Sequence, residues 1–135
     1  MIYLLDTNAC IRVLNGSSPK VVEQLEKLNP ADVAISAVVK AELTYGARKS
    51  RHVATNLRLV NAFFEPFICL PFDDRAADVY GSIRADLERE GRPIGPNDLL
   101  IAATALAHSL TLVTHNVSEF NRVPGLSIAD WESED

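Results

Sequence analysis

Short apolar runs alternate along this chain with longer stretches in which apolar side chains recur every three or four positions. The short runs predict buried strands, because a strand covered on both faces shows no polar alternation. They lie at residues 2–5, 33–36, 67–70 and 111–114, with residues 126–128 as a candidate fifth. The longer stretches predict helices between the strands. They cover about residues 19–28, 37–49, 51–64, 74–90 and 98–109.

Turn and cap residues support these boundaries. Ser18 precedes Pro19 in the arrangement of N-cap and first-turn proline that starts a helix. Residues 95–97 form a turn before the last long helix, which is apolar nearly all round and is therefore expected to be buried. Strands alternating with helices imply a parallel sheet covered on both faces. The sequence thus predicts a single α/β domain over residues 1–135, a three-layer α/β/α sandwich around a mostly parallel sheet of four to five strands.

Polar side chains follow three of the predicted strands. In open parallel sheets, ligands bind beyond the carboxyl ends of the strands, so these side chains should lie at the ligand-binding edge. They are Asp6, Thr7, Asn8, Ser36, Thr114, His115 and Asn116. Asp98, in the first turn of the helix that leads into the fourth strand, should reach the same edge, and Glu42 lies six residues beyond Ser36.

Each of the three acids also has a structural explanation. Asp6 could cap a short helix beginning near Ala9, and Asp98 could be an acid favoured by a helix N-terminus. Glu42 is harder to explain in this way, because apolar positions surround it on one predicted helix face and a carboxylate there needs a partner. Those positions are Val38, Ala41 and Tyr45. Chance could place any one of these acids at that edge of the sheet, but it is a poor explanation for all three acids at the same edge.

A cluster of carboxylates favours a bound cation, because carboxylates held close together repel at neutral pH. Oxygen ligands without cysteine or histidine select Mg²⁺ or Mn²⁺ over Zn²⁺. An ion of this kind supports phosphodiester hydrolysis by activating water and neutralising developing charge. Asp6 and Asp98 are therefore the expected metal ligands, with Glu42 nearby and Mn²⁺ expected to substitute for Mg²⁺.

Composition and charge narrow the class of protein. The formal net charge of −5 argues against a non-specific nucleic-acid coat. The charges are unevenly spread, however, since residues 43–64 contain no acid and residues 130–135 contain four. The acid-free stretch is a candidate RNA-binding face through its basic side chains. These are Arg48, Lys49, Arg51 and Arg58.

The cellular context is expected to be reducing. Cys10 and Cys69 are isolated and fit no metal or redox motif, so both are interpreted as reduced core residues. No apolar run reaches the roughly 18 residues of a membrane span, and Asp6 interrupts the first run, which argues against an export signal. We expect a cytoplasmic protein.

Four segments together resemble the PIN-domain ribonucleases, and among them the VapC toxins of type II toxin–antitoxin systems, especially the branch that cleaves initiator tRNA. The segments are I-Y-L-L-D-T-N at 2–8, I-S-A-V-V-K-A-E-L-T-Y-G at 35–46, I-G-P-N-D-L-L-I-A-A-T-A-L at 94–106 and L-V-T-H-N-V-S-E-F at 112–120. Any one segment is a weak signal, but all four occur in order and span nearly the whole chain.

The resemblance implies a Mg²⁺-dependent endoribonuclease that acts on RNA, in this branch tRNA, forms a homodimer and is inhibited by a VapB-like antitoxin. Asp6, Glu42 and Asp98 match the family's acidic positions, and its polar supports are matched by Thr7, Asn8, Ser36 and Thr114. Asn116 departs from the pattern, because many PIN domains carry a fourth acid there. Since an amide is a poorer Mg²⁺ ligand than a carboxylate, we expect one firmly held ion.

Three other functions are compatible with parts of the sequence. A metal-free ribonuclease could use His52, His108 or His115 as acid and base, and would survive metal chelation. Asp6 could be a phosphate-accepting nucleophile, although the chain has Asn8 in place of a second Asp and lacks an evident phosphate-binding Lys. A catalytically inactive PIN-like protein that binds nucleic acid or a partner is the non-enzyme alternative, which a turnover assay on labelled RNA would distinguish.

Overall fold

A five-stranded, all-parallel sheet lies at the centre of the protein. The computed structural model describes residues 1–133. The strands are β1 (Tyr3–Leu5), β2 (Val33–Ser36), β3 (Ile68–Leu70), β4 (Thr111–Val113) and β5 (Ile128–Ala129). Their order across the sheet is β3-β2-β1-β4-β5, and each neighbouring pair is parallel. The predicted α/β fold is confirmed, including the candidate fifth strand.

Seven helices within the described residues connect and cover these strands. They are α1 (Thr7–Asn15), α2 (Pro19–Glu26), α3 (Ala37–Arg48), α4 (Val53–Phe64), α5 (Asp74–Arg89), α6 (Pro96–Ala107) and α7 (Val117–Phe120). Helices α2 to α6 were expected from sequence periodicity, and α1 was considered only as a short helix that Asp6 might cap. The four residues of α7 are too few to show a period. At the start of α2, Ser18 occupies the N-cap position, but its side chain makes no cap hydrogen bond.

The core explains why the central strands lack polar alternation. Leu4 and Leu5 of β1 have no exposed surface, and all four residues of β2 are buried. Helix α6 is buried along most of its length, as its continuous apolar sequence predicts, and it packs against α5. Helix α6 is followed by Ser109 in a left-handed conformation with φ of 54°, and the Leu110 N–H then donates to the Ala105 carbonyl at 2.9 Å.

The strand order creates a crevice at the carboxyl end of the sheet. The chain moves from β1 outward to β2 and β3, then returns to place β4 on the other side of β1. Connections on the two sides of such a switch point leave in opposite directions, which opens a space for ligands between the two strand ends. Asp6 follows β1 and Thr114 follows β4, so both border this crevice.

The prediction that both cysteines are reduced core residues holds for Cys10 and is wrong for Cys69. Both cysteines are free, as expected, and Cys10 is fully buried in α1, where burial raises the pKa of its thiol. Cys69, however, is exposed, because β3 is an edge strand and its middle residue faces outward. Among residues 1–133, no helix combines the length and apolarity needed to cross a bilayer.

Candidate active site

Asp6 is fixed at the start of α1 by three contacts. Its side chain caps the helix by accepting a hydrogen bond from the Ala9 N–H at 2.8 Å, and it also hydrogen-bonds the side chain of Thr114. Its own N–H donates to the Val113 carbonyl at 3.1 Å, which ties it to β4. Asp6 is only 4% exposed, and this burial raises the pKa of its carboxyl. The capping role considered for Asp6 is real, and it orients the carboxylate at the crevice.

Asp98 lies in the first turn of α6 and faces the other acids. Its pKa is raised to about 6, chiefly by burial and then by the negative charges of Glu119, Asp6 and Glu42. Mutual repulsion of this kind requires the carboxylates to be near neighbours. The structure therefore brings the three predicted acids together and adds a fourth, Glu119.

Glu119 was not predicted from the sequence. Its two carboxylate oxygens accept separate hydrogen bonds, one from the Gly95 N–H and one from Asn116 Nδ2, each at 2.8 Å. The Gly95 N–H contributes most to lowering the pKa of Glu119, whereas the contact between the two carboxyl groups helps to raise the pKa of Asp98. A Cβ placed on Gly95 would lie 3.6 Å from Glu119 Oε1 and 3.8 Å from Asp98 Oδ2, so the two acids flank the same backbone position.

Asn116 supports Glu119 and does not cap α7 with its side chain. It occupies the N-cap position, but its amide makes no cap hydrogen bond and instead donates to Glu119. Its own N–H donates to Thr114 Oγ1 at 3.0 Å. The apparent loss of a fourth acid at Asn116 is therefore compensated one helical turn later. The signal was an Asn-x-x-Glu spacing directly after a strand, which brings the two side chains together when a helix follows.

The reason given for singling out Glu42 was wrong, although its position is near the site. The buried face of α3 consists of Val39, Leu43 and Ala47, whereas Tyr45 is 65% exposed. Glu42 is partly buried beside this face and does not stand in an inward apolar stripe. Its negative charge nevertheless contributes to the raised pKa of Asp98.

The four polar supports have different positions. Thr114 is buried and contacts Asp6, whereas Ser36 is buried and caps α3 by accepting a hydrogen bond from the Val39 N–H at 3.2 Å. Thr7 Oγ1 is buried without a hydrogen-bond partner in the structure and lines the space beside Glu42. Asn8 is exposed on α1.

The donor chemistry of this site fits a hard divalent cation. Four carboxylates, Asp6, Glu42, Asp98 and Glu119, interact electrostatically, and the shared burial of Asp6 and Asp98 disfavours their joint ionisation. A divalent cation would offset that repulsion, and an all-oxygen set suits Mg²⁺ or Mn²⁺.

Comparisons with known proteins agree with this architecture. The chain matches the PIN domain family over residues 3–126. It is 40% identical over 133 residues to Ribonuclease VapC2 of Rickettsia felis, covering 98% of this chain and 99% of that protein. It is also 40% identical over 129 residues to the tRNA(fMet)-specific endonuclease VapC of Salmonella typhimurium, covering 96% and 97% of the two chains.

The chain belongs to the VapC family of PIN-domain ribonucleases. Its fold agrees with that of solved VapC chains as well. A TM-score of 0.92 relates it to a chain in the DNA-bound VapBC complex of Salmonella typhimurium, at 40% identity and with 97% and 98% of the two chains covered. A chain of the Rickettsia felis VapBC2 complex bound to promoter DNA gives a TM-score of 0.90 at 39% identity, covering 97% and 99%. PIN-domain ribonucleases are in general metal-dependent.

The basic segment of this VapC chain lies at the surface, and one of its side chains, that of Lys49, lines a groove together with Glu42. Arg48, Lys49, Arg51 and Arg58 are all exposed. Lys49 lies 5.1 Å from the centre of the Tyr45 ring, in cation–π geometry. A groove of about 710 Å³ includes both of these side chains together with Glu42.

The wall of this groove is largely apolar. Its apolar lining comes from α1, α3 and α4, and includes Ile11, Leu14, Leu59 and Val60. Of Val38, Ala41 and Tyr45, the apolar residues predicted around Glu42, only Tyr45 lines the groove. Val38 packs against the core instead.

The acidic tail is folded against the protein as far as the structure describes it. Arg12 Nε pairs with Glu132 Oε1 at 2.8 Å, and Asp130 contacts His115 Nδ1 at 3.0 Å. Glu132 and Arg12 also act in opposite directions on the pKa of Asp6. Neither tail residue nor Arg12 was predicted to be part of this environment. Glu134 and Asp135 lie outside the described residues.

Proposed function

We propose that this chain is an endoribonuclease toxin that hydrolyses RNA phosphodiester bonds with Mg²⁺ held by Asp6 and Asp98. The observation that carries the proposal is the mutual electrostatic influence of four carboxylates at the switch point of the sheet. Membership of the VapC family supports the reaction class. A single PIN-like domain over residues 1–135 provides the whole site.

The chain's own residues bind and position the reacting groups. Asp6 and Asp98 would hold the metal, Glu119 would complete the site as a further carboxylate beside Asp98, and Glu42 would orient the attacking water. A bound Mg²⁺ supplies charge neutralisation for the phosphate and increases the acidity of water. Asn116 and Gly95 fix the orientation of the Glu119 carboxylate, because each donates a hydrogen bond to one of its oxygens. Thr114 holds Asp6, and Thr7, Asn8 and Ser36 shape the surrounding edge.

The RNA substrate is proposed to be tRNA. Relatives about 40% identical over nearly their full length are tRNA(fMet)-specific endonucleases from Salmonella typhimurium and Shigella flexneri. The exposed basic segment, whose Lys49 lines the groove together with Glu42, offers phosphate contacts. The contributing side chains are Arg48, Lys49, Arg51 and Arg58. Such a substrate would be met in the cytoplasm.

A cognate VapB-like antitoxin is the proposed inhibitory partner. Related VapC chains occur in solved VapBC complexes. The groove lined by α1, α3 and α4 combines an apolar wall with Glu42, so it suits a peptide that carries apolar anchors and an Arg or Lys. We also propose that two copies of the chain form a homodimer, which light scattering on the purified protein would test.

Sequencing of RNA 5′ ends shortly after a pulse of expression would test the activity and identify the target. We expect new ends at one position in a tRNA with the wild-type chain and none with Asp98→Asn at equal protein level. In vitro, the purified chain should cut the same tRNA with Mg²⁺ or Mn²⁺ and lose this activity with a chelator. Cleavage that survives chelation would favour the histidine mechanism. Binding of RNA without turnover would identify a catalytically inactive member of the family.

A further inference from the structure

A second group of potential metal ligands lies outside the carboxylate cluster, at the ends of β4 and β5. We propose that His115, Asp130 and Glu132 bind a divalent transition-metal ion of the Zn²⁺ class. Each of these side chains offers one ligand atom, and the three atoms lie within 4.8 Å of one another. Nothing in the proposed RNA cleavage requires this second ion.

The spacing of two of these ligands fits a common coordination sphere. His115 Nδ1 lies 3.0 Å from Asp130 Oδ2 and 3.1 Å from Oδ1. Two ligands that each bind an ion at about 2.1 Å are separated by about 3.4 Å at the tetrahedral angle and by about 3 Å at a right angle. An ion could therefore replace the His115–Asp130 hydrogen bond with little movement of either side chain.

The backbone fixes these ligands before any ion binds. Parallel pairing of β4 with β5 aligns Val113 with Ala129, which brings His115 and Asp130 close together just beyond the strand ends. The Thr114 N–H donates to the Ala129 carbonyl at 3.0 Å, and the Glu132 N–H donates to Asp130 Oδ1 at 3.0 Å. Such preorganisation lowers the entropy cost of gathering three ligands.

Glu132 can act as a ligand without losing its salt bridge. Arg12 Nε contacts Oε1 of Glu132 at 2.8 Å, so Oε2 is the oxygen that would bind the ion. The side chains of Glu132 and Asp130 are 19% and 20% exposed, which partly shields an ion between them from water. The two carboxylates and the Arg12 guanidinium together give a net charge of about −1, which attracts a cation.

The donor set distinguishes this site from the carboxylate cluster. One imidazole nitrogen with two carboxylate oxygens suits Zn²⁺, Co²⁺ or Ni²⁺ and gives little affinity for Mg²⁺. An ion bound here would join the end of β4 to residues 130–132. Trp131, between the two acidic ligands, is buried and packs edge-on against Tyr3 at 5.4 Å between ring centres. Because it is the sole tryptophan of the chain, its fluorescence should report binding.

The test is a titration of the purified full chain, free of any affinity tag, with Co²⁺ and Zn²⁺ in the presence of excess Mg²⁺. Cys69→Ser should be present throughout, because the exposed thiol of Cys69 could bind either ion. Co²⁺ should produce visible d–d absorption at one equivalent, and Zn²⁺ should remove it and alter Trp131 fluorescence. His115→Ala should weaken binding at least about tenfold, and Glu132→Gln should also weaken it. His52→Ala, another exposed histidine, serves as the matched control and should change nothing.

Two results would overturn the proposal. One is unchanged Co²⁺ affinity in His115→Ala. The other is binding that disappears in Asp98→Asn but persists in His115→Ala, since the ion would then be in the carboxylate cluster. A rise in melting temperature with Zn²⁺, present in the parent chain and absent in His115→Ala, provides a second readout that does not depend on colour or fluorescence.

Discussion

At the scale of single residues, a small number of hydrogen-bond donors hold two of the four clustered acids in place. Asp6 is held by Ala9 and Thr114, and Glu119 is held by Gly95 and Asn116. The pKa of Asp6 is raised by burial, and that of Asp98 is raised to about 6 by burial and by the negative charges of the other three acids. Repulsion within the cluster therefore acts most directly on Asp98.

Asp6→Asn and Asp98→Asn should each reduce cleavage by at least about 100-fold, because each removes a carboxylate from the proposed metal site. Asn caps a helix as well as Asp does, so Asp6→Asn should retain the start of α1. Thermal unfolding without metal should show equal or higher stability for both variants. Asp73→Asn is the matched control, since Asp73 caps α5 in the same way, at 3.0 Å from the Ala76 N–H. Full activity in both site variants would contradict the assignment.

The raised pKa of Asp98 predicts a pH dependence of stability. Its folded-state pKa of about 6 exceeds its usual value of 3.8, so between these values the folded protein binds more protons than the unfolded chain. The free energy of unfolding of the metal-free protein should therefore fall as pH rises from about 4 through about 6. Denaturant titrations across this range should show a smaller fall for Asp98→Asn than for wild type. The exposed Asp78, changed to Asn, should leave the wild-type profile intact.

Asn116 should act as a positioning residue for Glu119. Asn116→Ala removes one of the two hydrogen bonds to the Glu119 carboxylate but leaves the one from Gly95. We expect roughly a tenfold loss of activity, with a higher Mg²⁺ concentration needed for half-maximal cleavage. Glu119→Gln should be more severe. The exposed Asn121, changed to Ala, is the control, and an unaltered Mg²⁺ requirement in Asn116→Ala would argue for a purely structural role.

At the scale of elements, the pattern of apolar residues predicted the long helices and all five strands. It did not identify which face of α3 is buried. The apolar residues near Glu42 were assigned to one inward stripe, whereas the structure turns Tyr45 outward and Val39 inward. A helix that borders a groove carries apolar side chains on two sides, so its sequence alone does not identify the buried one. Glu119 was missed because α7 is a single turn that gives no periodic signal.

The basic segment at the end of α3 and along α4 should contribute to RNA affinity through phosphate contacts. Neutralising Arg48, Lys49, Arg51 and Arg58 one at a time should weaken tRNA binding. The slope of log affinity against log salt should flatten by about one for each lost contact. Binding is best measured with the inactive Asp98→Asn chain, so that the RNA stays intact. Arg75→Gln, at an exposed position on α5, is the control. Salt slopes that match the parent in all four variants would show that the RNA binds elsewhere.

At the scale of the whole molecule, one edge of the sheet contains the acids and opens onto the apolar groove. Glu42 belongs to both, since it lines the groove and influences the pKa of Asp98. A peptide bound along the groove could therefore carry its cation to the place where Mg²⁺ would bind. The same arrangement would couple partner binding to metal binding.

We expect the antitoxin and Mg²⁺ to compete. Excess Mg²⁺ should partly relieve inhibition by a peptide that carries apolar anchors and a terminal Arg or Lys, whereas the same peptide with Gln at that position should inhibit less. In cells, the chain alone should arrest growth, and co-expression of the antitoxin or the Asp98→Asn change should prevent this. Harmless expression of the intact chain alone, at levels where its ribonuclease activity is detectable in extracts, would contradict the toxin assignment.

The order of the acids along the chain has a consequence for biosynthesis. Asp6 leaves the ribosome first, yet its partners Asp98 and Glu119 follow only after most of the chain has been made. Strand β1 also cannot acquire its β4 neighbour until residues 111–113 are available. At translation rates of about 5–20 residues per second, several seconds separate the first acid from the last. A nascent chain would thus lack a complete site until its last acid is made, and an antitoxin already present could bind the enzyme as soon as the fourth acid is in position.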